Sequence, residues 1–257
     1  MARSLLIGLR MDVSLYSSAA AMNATERWQD MVADNLSTSS VPGARQQEMN
    51  FSAVQAGASA AAGAAGNHFV IPFAGSATNF SQGELKATTR NMDVALEGPG
   101  FFTVQMPDGS KAYTRNGEFR LNNQGQMTTN QGYPVVGSSG PLTFDPNKTA
   151  PITISSSGEV SQGPDEKGQM SVMEFGNVKA LTNGGGGYFR ADNPQQAQPK
   201  PATATSVRQG FVEESNTSPT LAMASLLTSM RMFESNQKVM QMQSDRMTRT
   251  INDLSGA

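Results

Sequence analysis

The residues from Ser218 to Leu254 constrain this chain more than any other stretch. Met223, Leu226, Met230, Phe233, Gln237, Met240, Ser244, Met247, Ile251 and Leu254 recur at alternating steps of three and four. That spacing is the a/d seam of a helix that packs along its length against other helices. Eight of the ten positions are apolar. Ser218 suits the N-cap, and Pro219 suits the first turn, where a missing N–H does no harm. No Gly or Pro follows until Gly256. At 1.5 Å per residue the helix is roughly 50 Å long. A chain of 257 residues has no internal need for a helix of that length, so its seam calls for cover. Gln237 and Ser244 are polar seam positions, the kind that sets register between helices.

A second helix is predicted from Met11 to Thr38. Leu15, Ala19, Met22, Val32 and Leu36 fall near one face, interrupted by Thr25, Glu26 and Gln29, with Trp28 and Met31 at the flank. Ser39, Ser40, Pro42 and Gly43 stop it. Residues 55–66, almost all Ala and Gly, are open to two readings: a flexible linker, or a small-residue segment ordered only by packing.

Between Asn79 and Phe175 the period changes to two. Met92, Val94 and Leu96 alternate with Asp93, Ala95 and Glu97, and Phe102, Val104 and Met106 alternate with Phe101, Thr103 and Gln105. Phe119, Leu121, Ile152 and Ile154 continue the pattern. Turn signals separate the runs: Gly98-Pro99-Gly100, Pro107-Asp108-Gly109, Asn116-Gly117 and Asn122-Asn123. Short strands with close turns predict an all-β domain of hairpins. The four glycines from Gly184 to Gly187 read as a loop, and residues 194–205, with three prolines, as an extended linker. The fold class is therefore mixed α and β. Long N- and C-terminal helices pair in coiled-coil fashion around a central all-β domain. The expected divisions are 1–40 for the first helix, 41–78 for a linker or extended segment, 79–205 for the β domain with its trailing linker, and 206–257 for the lead-in and last helix.

Composition narrows the chemistry. Net charge is −2, which argues against nucleic-acid binding by a basic surface. There is no Cys and one His, which excludes disulfides, thiolate metal sites and multi-imidazole sites. No apolar run approaches the length of a membrane span, so no direct membrane insertion is expected. The apolar stretch near the N-terminus, broken by Arg10 and Asp12, is too short for a signal peptide. His68 has no nucleophile signature to serve. The Gly184–Gly187 run lacks the Lys-Ser/Thr of a phosphate-binding loop. Asp93 and Glu97 alternate with apolar residues and read as a solvated strand face rather than a glycosidase pair. Glu213 and Glu214 are adjacent and should point apart. The Met stripe of the last helix reads as packing rather than metal ligation. No catalytic, cofactor-binding or metal site is expected. The predicted site is an assembly interface made of Leu15, Met22, Val32, Leu36, Met223, Leu226, Met230, Phe233, Met240, Met247, Ile251 and Leu254.

Several motifs, in order, resemble the axial proteins of the bacterial flagellum, in the rod and hook family. Ala33-Asp34-Asn35-Leu36-Ser37 is similar to the family's Ala-Asn-Asn-Leu-Ala-Asn, with Asp34 in place of the first Asn. Ser40-Val41-Pro42-Gly43-Ala44-Arg45 is similar to its Thr-Pro-Gly-Phe-Lys, with Ala44 in place of the aromatic. Residues 92–104 resemble its strand-turn-strand, and Tyr113-Thr114-Arg115-Asn116-Gly117-Glu118-Phe119 its Tyr-Thr-Arg-Asp-Gly-x-Phe. Gln209 to Asn216 resembles the lead into its last helix, and Arg231 to Lys238 a motif within that helix. The closing Met240 to Met247 looks more like the proximal than the distal rod. The resemblance implies a structural subunit that polymerises through its terminal helices into a helical tube. Its implied partners are other copies of itself, other flagellar rod proteins and the flagellar export apparatus. It also implies residence in the periplasmic rod after export without a cleaved signal peptide. The alternative from another class is a secreted β-domain enzyme or glycan binder dimerised by its last helix.

Overall fold

A computed structural model describes residues 2–56, 69–146, 148 and 150–255, with side chains described for 18–50, 75–146, 148 and 150–252. His68 and most of the Ala/Gly-rich stretch lie outside these residues. The chain divides into two compact units. One comprises Met1–Asp34, Gln47–Ala77 and Thr220–Ala257, and the other Asn35–Gln46 and Thr78–Pro219.

The first unit holds nearly all of two long helices, Ala2–Thr38 and Pro219–Ser255, of which Asn35–Thr38 and Pro219 fall in the second unit. The first begins earlier than its seam suggested. Residues 2–10 are mostly helix formers with a single Gly8, a weak breaker on its own. The stretch expected as linker or extended segment carries two ten-residue strands, Gln47–Ala56 and Phe69–Thr78, paired as a two-stranded sheet.

The second unit is β-rich. Its largest sheet has six strands in the spatial order Thr182–Gly185, Tyr188–Arg190, Lys111–Thr114, Phe101–Gln105, Val172–Phe175 and Pro199–Pro201, all neighbours antiparallel. Phe102 lies opposite Thr114 and Val104 opposite Ala112. A three-stranded sheet, Ile152–Ile154, Glu159–Gln162 and Asp165–Gln169, bulges between Val160 and Ser161. Two ladders tie the C-terminal lead-in to the start of the unit. Ser206–Gln209 pairs with Val94–Glu97, and Phe211–Glu213 with Leu85–Ala87.

The six-stranded sheet is covered on both faces. Phe102 and Val104 join Val94, Leu96, Phe119 and Met127 in one core cluster. Phe101 and Tyr113 join Phe175, Leu181 and Phe189 in another. The rings of Phe101 and Phe189 meet edge to face at 5.9 Å between centroids, and those of Tyr113 and Phe175 at 4.8 Å. This double cover explains why strict alternation understated the core of that sheet: Thr103 is buried as well. Outside that sheet, the expectation for Asp93 is corrected. The solvated face expected for Asp93 and Glu97 holds for Glu97, which is exposed and pairs with Arg208. Asp93 is buried and accepts from Arg90 Nε at 2.9 Å.

The expected linker at 194–205 is also built into the sheet. Asn193 caps a short helix, Pro194–Ala197, accepting from the amides of Gln195 and Gln196. Pro199–Pro201 then adds the outermost strand, where a proline's missing donor is tolerated. Glu174, buried, accepts from the amides of Thr203 and Ala204 and from Thr205 Oγ1, and so holds the chain beyond that strand. The glycine run expected as a loop is the turn of the Thr182–Arg190 hairpin, with positive φ at Gly185, Gly186 and Gly187.

Candidate assembly interface

The last helix does not bury its seam as a single line. Leu226, Phe233, Met240 and Met247, one residue in seven, are half-buried. The other line stays open: Met223 is 54% exposed, Met230 47% and Ile251 59%. Gln237 and Ser244, on the same line, are exposed too. The inward face is completed instead by Ala222 and Ser229, both buried, and by the half-buried Asn236 and Gln243. The buried face is thus rotated about one residue away from the sequence-predicted seam. The displaced positions are small or amide residues, which a search for apolar spacing passes over.

Two side-chain hydrogen bonds join this helix to the first. Asn236 Nδ2 donates to Thr25 Oγ1 at 3.4 Å, and Gln243 Nε2 to Ser18 Oγ at 3.3 Å. The partners step seven residues forward on one helix and seven back on the other, so the two run antiparallel. On the first helix Val32 is buried, with Ala24, Thr25 and Met31, while Met22 is half-buried. Leu36 is half-buried and belongs to the β-rich unit. The side chains of Leu15 and Leu254 lie outside the described ones.

On the 3.6-residue helix, the exposed apolar residues of Pro219–Ser255 fall on both flanks of the inward face. Met223, Leu227 and Met230 line one flank, and Met232, Val239 and Met242 the other. Among the described residues no group of His, Asp or Glu is arranged to hold a metal.

Within the β-rich unit three of the family-like motifs meet at one buried carboxylate. Glu213 is fully buried. Arg45 Nη2 lies 2.7 Å from its Oε1, a close ion pair without the alignment of a directed hydrogen bond. Arg115 Nη1 donates to Oε2 at 3.2 Å, and the amide of Gly83 to Oε1 at 2.8 Å. The guanidinium groups spend other donors on backbone carbonyls: Arg45 Nη1 on Ser81 at 2.8 Å, and Arg115 Nη2 on Gly98 at 2.7 Å. Arg115 also sits over the ring of Phe101, 4.8 Å from its centroid. Burial pushes the Arg115 guanidinium down to about 10, against the attraction of Glu213, so it remains a cation at neutral pH. Two cations face one anion, so loss of Glu213 would leave both guanidinium groups buried without a counter-ion.

The backbone is equally constrained. Gly43 adopts φ +69, and its amide donates to the Glu213 carbonyl at 2.7 Å. A Cβ there would come within 2.3 Å of the Arg115 carbonyl carbon, so only glycine fits. Asn216 closes the arrangement. Its Oδ1 accepts from the Gln46 amide at 2.7 Å, and its Nδ2 donates to the carbonyls of Asn79 and Ser81 at 2.9 and 3.1 Å. Glu214 points the other way, as adjacent strand residues must, and pairs with Lys86 at the surface.

Residues 95–162 match the D1 domain of the flagellar hook protein FlgE/F/G family, and residues 208–254 the C-terminal region of the flagellar basal body rod FlgEFG proteins. The chain is similar to the flagellar basal-body rod protein FlgF of Caulobacter vibrioides, 32% identical over 90% of this chain and 93% of the relative. It belongs to the flagellar basal-body rod family. The rod-family relatives include FlgF of Salmonella typhimurium, 30% identical over 89% of this chain and 93% of that protein. They also include FlgG of Buchnera aphidicola from Schizaphis graminum, 35% identical over 68% of this chain and 69% of that protein. As a rod-family chain it is a structural subunit of the flagellar basal body, not an enzyme, and it assembles with other rod proteins. The C-terminal match contains Glu213, Asn216 and nearly all of the last helix.

Proposed function

We propose that the subunit polymerises through its two long helices into the wall of a helical axial tube of the proximal-rod type. The helices pair antiparallel in coiled-coil fashion. The register of the Asn236–Thr25 and Gln243–Ser18 bonds brings Val32 opposite Ser229. Leu226, Phe233, Met240 and Met247 pack inward with Met22 and Val32, while Met223, Met230 and Ile251 meet neighbouring subunits. Leu15 and Leu254 extend the same faces, and Leu36 leads the chain out of the first helix. The carrying observation is the presence of exposed apolar residues on both flanks of the last helix. The two flanks differ in sequence, so one flank meeting the other makes a head-to-tail contact. Such a contact grows an open helical assembly rather than closing a two-fold dimer.

The same balance supports threading through the flagellar export apparatus before folding. Full burial of a Leu, Met or Phe is worth roughly 1.5–3 kcal/mol. Ordering each backbone residue costs about 1–2 kcal/mol. The last helix orders 37 residues and half-buries four large apolar side chains of its seam in the lone subunit. It therefore gains its stability on assembly. Hydrogen exchange tests this on the purified subunit and on isolated basal bodies. Residues 11–38 and 219–254 exchange near random-coil rates in the subunit and slowly in the basal body, while residues 101–114 are slow in both. Slow exchange of both helices in a stable monomer or dimer would defeat the proposal.

A further inference from the structure

Glu213 and Asn216 sit near the end of the chain, yet their partners lie at Gly43 to Gln46. We infer that Arg45, Arg115, Glu213 and Asn216 form a clasp that makes residues 39–46, leaving the first long helix, and residues 211–217, entering the last, order as one cooperative element. Neither segment is ordered without the other.

The chemistry makes the dependence mutual. Without Glu213, the Arg45 and Arg115 side chains would be buried with no counter-ion, so residues 39–46 could not settle into place. Without residues 39–46, Glu213 loses Arg45, its backbone carbonyl loses the Gly43 amide, and Asn216 loses the Gln46 amide. Each half supplies the groups that satisfy the other, and buried polar groups left unpaired are costly. The fit is also steric. Gly187, at the tip of the glycine hairpin, would meet Val41 and Ala44 if it carried a Cβ, and Gly83 would meet the Glu214 carbonyl at 2.0 Å. Gly187 thus lies alongside residues 41 and 44, while Gly83 lies tight against residues 213 and 214, so each half of the clasp has a glycine packed on it. The rest of the β-rich unit has its own cores around Phe101 and Phe102 and does not depend on the clasp for its hydrophobic burial. Because its halves are about 170 residues apart, the clasp closes only after the lead-in to the last helix is present. It then ties the point where the first long helix ends to the point where the last one begins. This inference concerns coupling within one chain and stands whether or not the tube proposal does.

The test is hydrogen exchange of the full-length Asn216→Ala and Arg45→Met variants, with residues 101–114 as the internal reference. Asn216→Ala removes polar contacts to Gln46, Asn79 and Ser81 from a half-buried position, so the chain still folds. Arg45→Met leaves Arg115 facing Glu213, one cation to one anion, so no buried charge loses its counter-ion. With Asn216→Ala, amides of residues 41–46 exchange about tenfold faster or more, although the substitution lies 170 residues away. With Arg45→Met, amides of residues 211–217 accelerate reciprocally. Protection of 101–114 stays at the parent level in both. If each substitution loosens only its own segment, or if 101–114 loosens equally, the clasp is overturned.

Discussion

Glu213→Gln is expected to destabilise the β-rich unit by about 3–5 kcal/mol, the cost of leaving buried charge without its partner. The glutamine keeps the shape and can still accept from Gly83, but the negative charge that offsets Arg45 and Arg115 is gone. The neighbouring Glu214→Gln provides the contrast. That carboxylate is exposed and pairs only with Lys86 at the surface, so its loss changes stability by less than about 1 kcal/mol. Urea unfolding followed by circular dichroism separates the two. Equal midpoints for both variants would show that the buried cluster is not what holds this part of the fold.

The second large effect is on assembly rather than folding. Met223→Glu combined with Met230→Glu places two carboxylates on an exposed flank of the last helix. Exposed substitutions of this kind change stability by no more than about 0.5 kcal/mol each. Burying the same carboxylates against a neighbouring subunit carries an effective penalty of several kcal/mol per ion. Cells carrying the double variant are therefore expected to be non-motile and to lack complete basal bodies, while the purified subunit unfolds as the parent does. Wild-type swimming would rule out this flank as an assembly surface.

The last helix was legible in the sequence because a 3–4 repeat over ten positions has few other physical meanings, while the first, with an interrupted face, was legible only from Met11 and in fact starts at Ala2. Which side of the last helix turns inward was not legible. That choice rests on Ala222, Ser229, Asn236 and Gln243, whose size and amide groups suit close approach to another helix but carry no hydrophobic signal. In the β-rich unit the strands around Val94 and Phe102 followed from alternation. The burial of Thr103 did not, because a sheet covered on both faces suspends the rule that every second residue meets water, and that of Asp93 did not because its partner Arg90 lies outside the alternating run. The prolines at 199 and 201 suggested a linker, yet they occupy an outermost strand, the one place in a sheet where their missing donors cost nothing. Glu213 was read correctly as pointing away from Glu214, but nothing local marks it as an ion's partner. Arg45 and Arg115 reach it only through the tertiary fold, and the one hint was that all three lie in motifs that resemble the same family.

The chain contains no cysteine, so a single introduced thiol reports on one position alone. The most direct measurement is maleimide labelling of four single variants, Met223→Cys, Met230→Cys, Val239→Cys and Met242→Cys, with Asp108→Cys in an exposed turn as the control. Each is labelled first as purified subunit and then in isolated basal bodies. The account predicts that all five react in the subunit, and that in the basal body the four helix positions are protected while Asp108→Cys still reacts. Equal labelling of the helix positions in both states would contradict it, since the flanks would then face solvent in the finished rod.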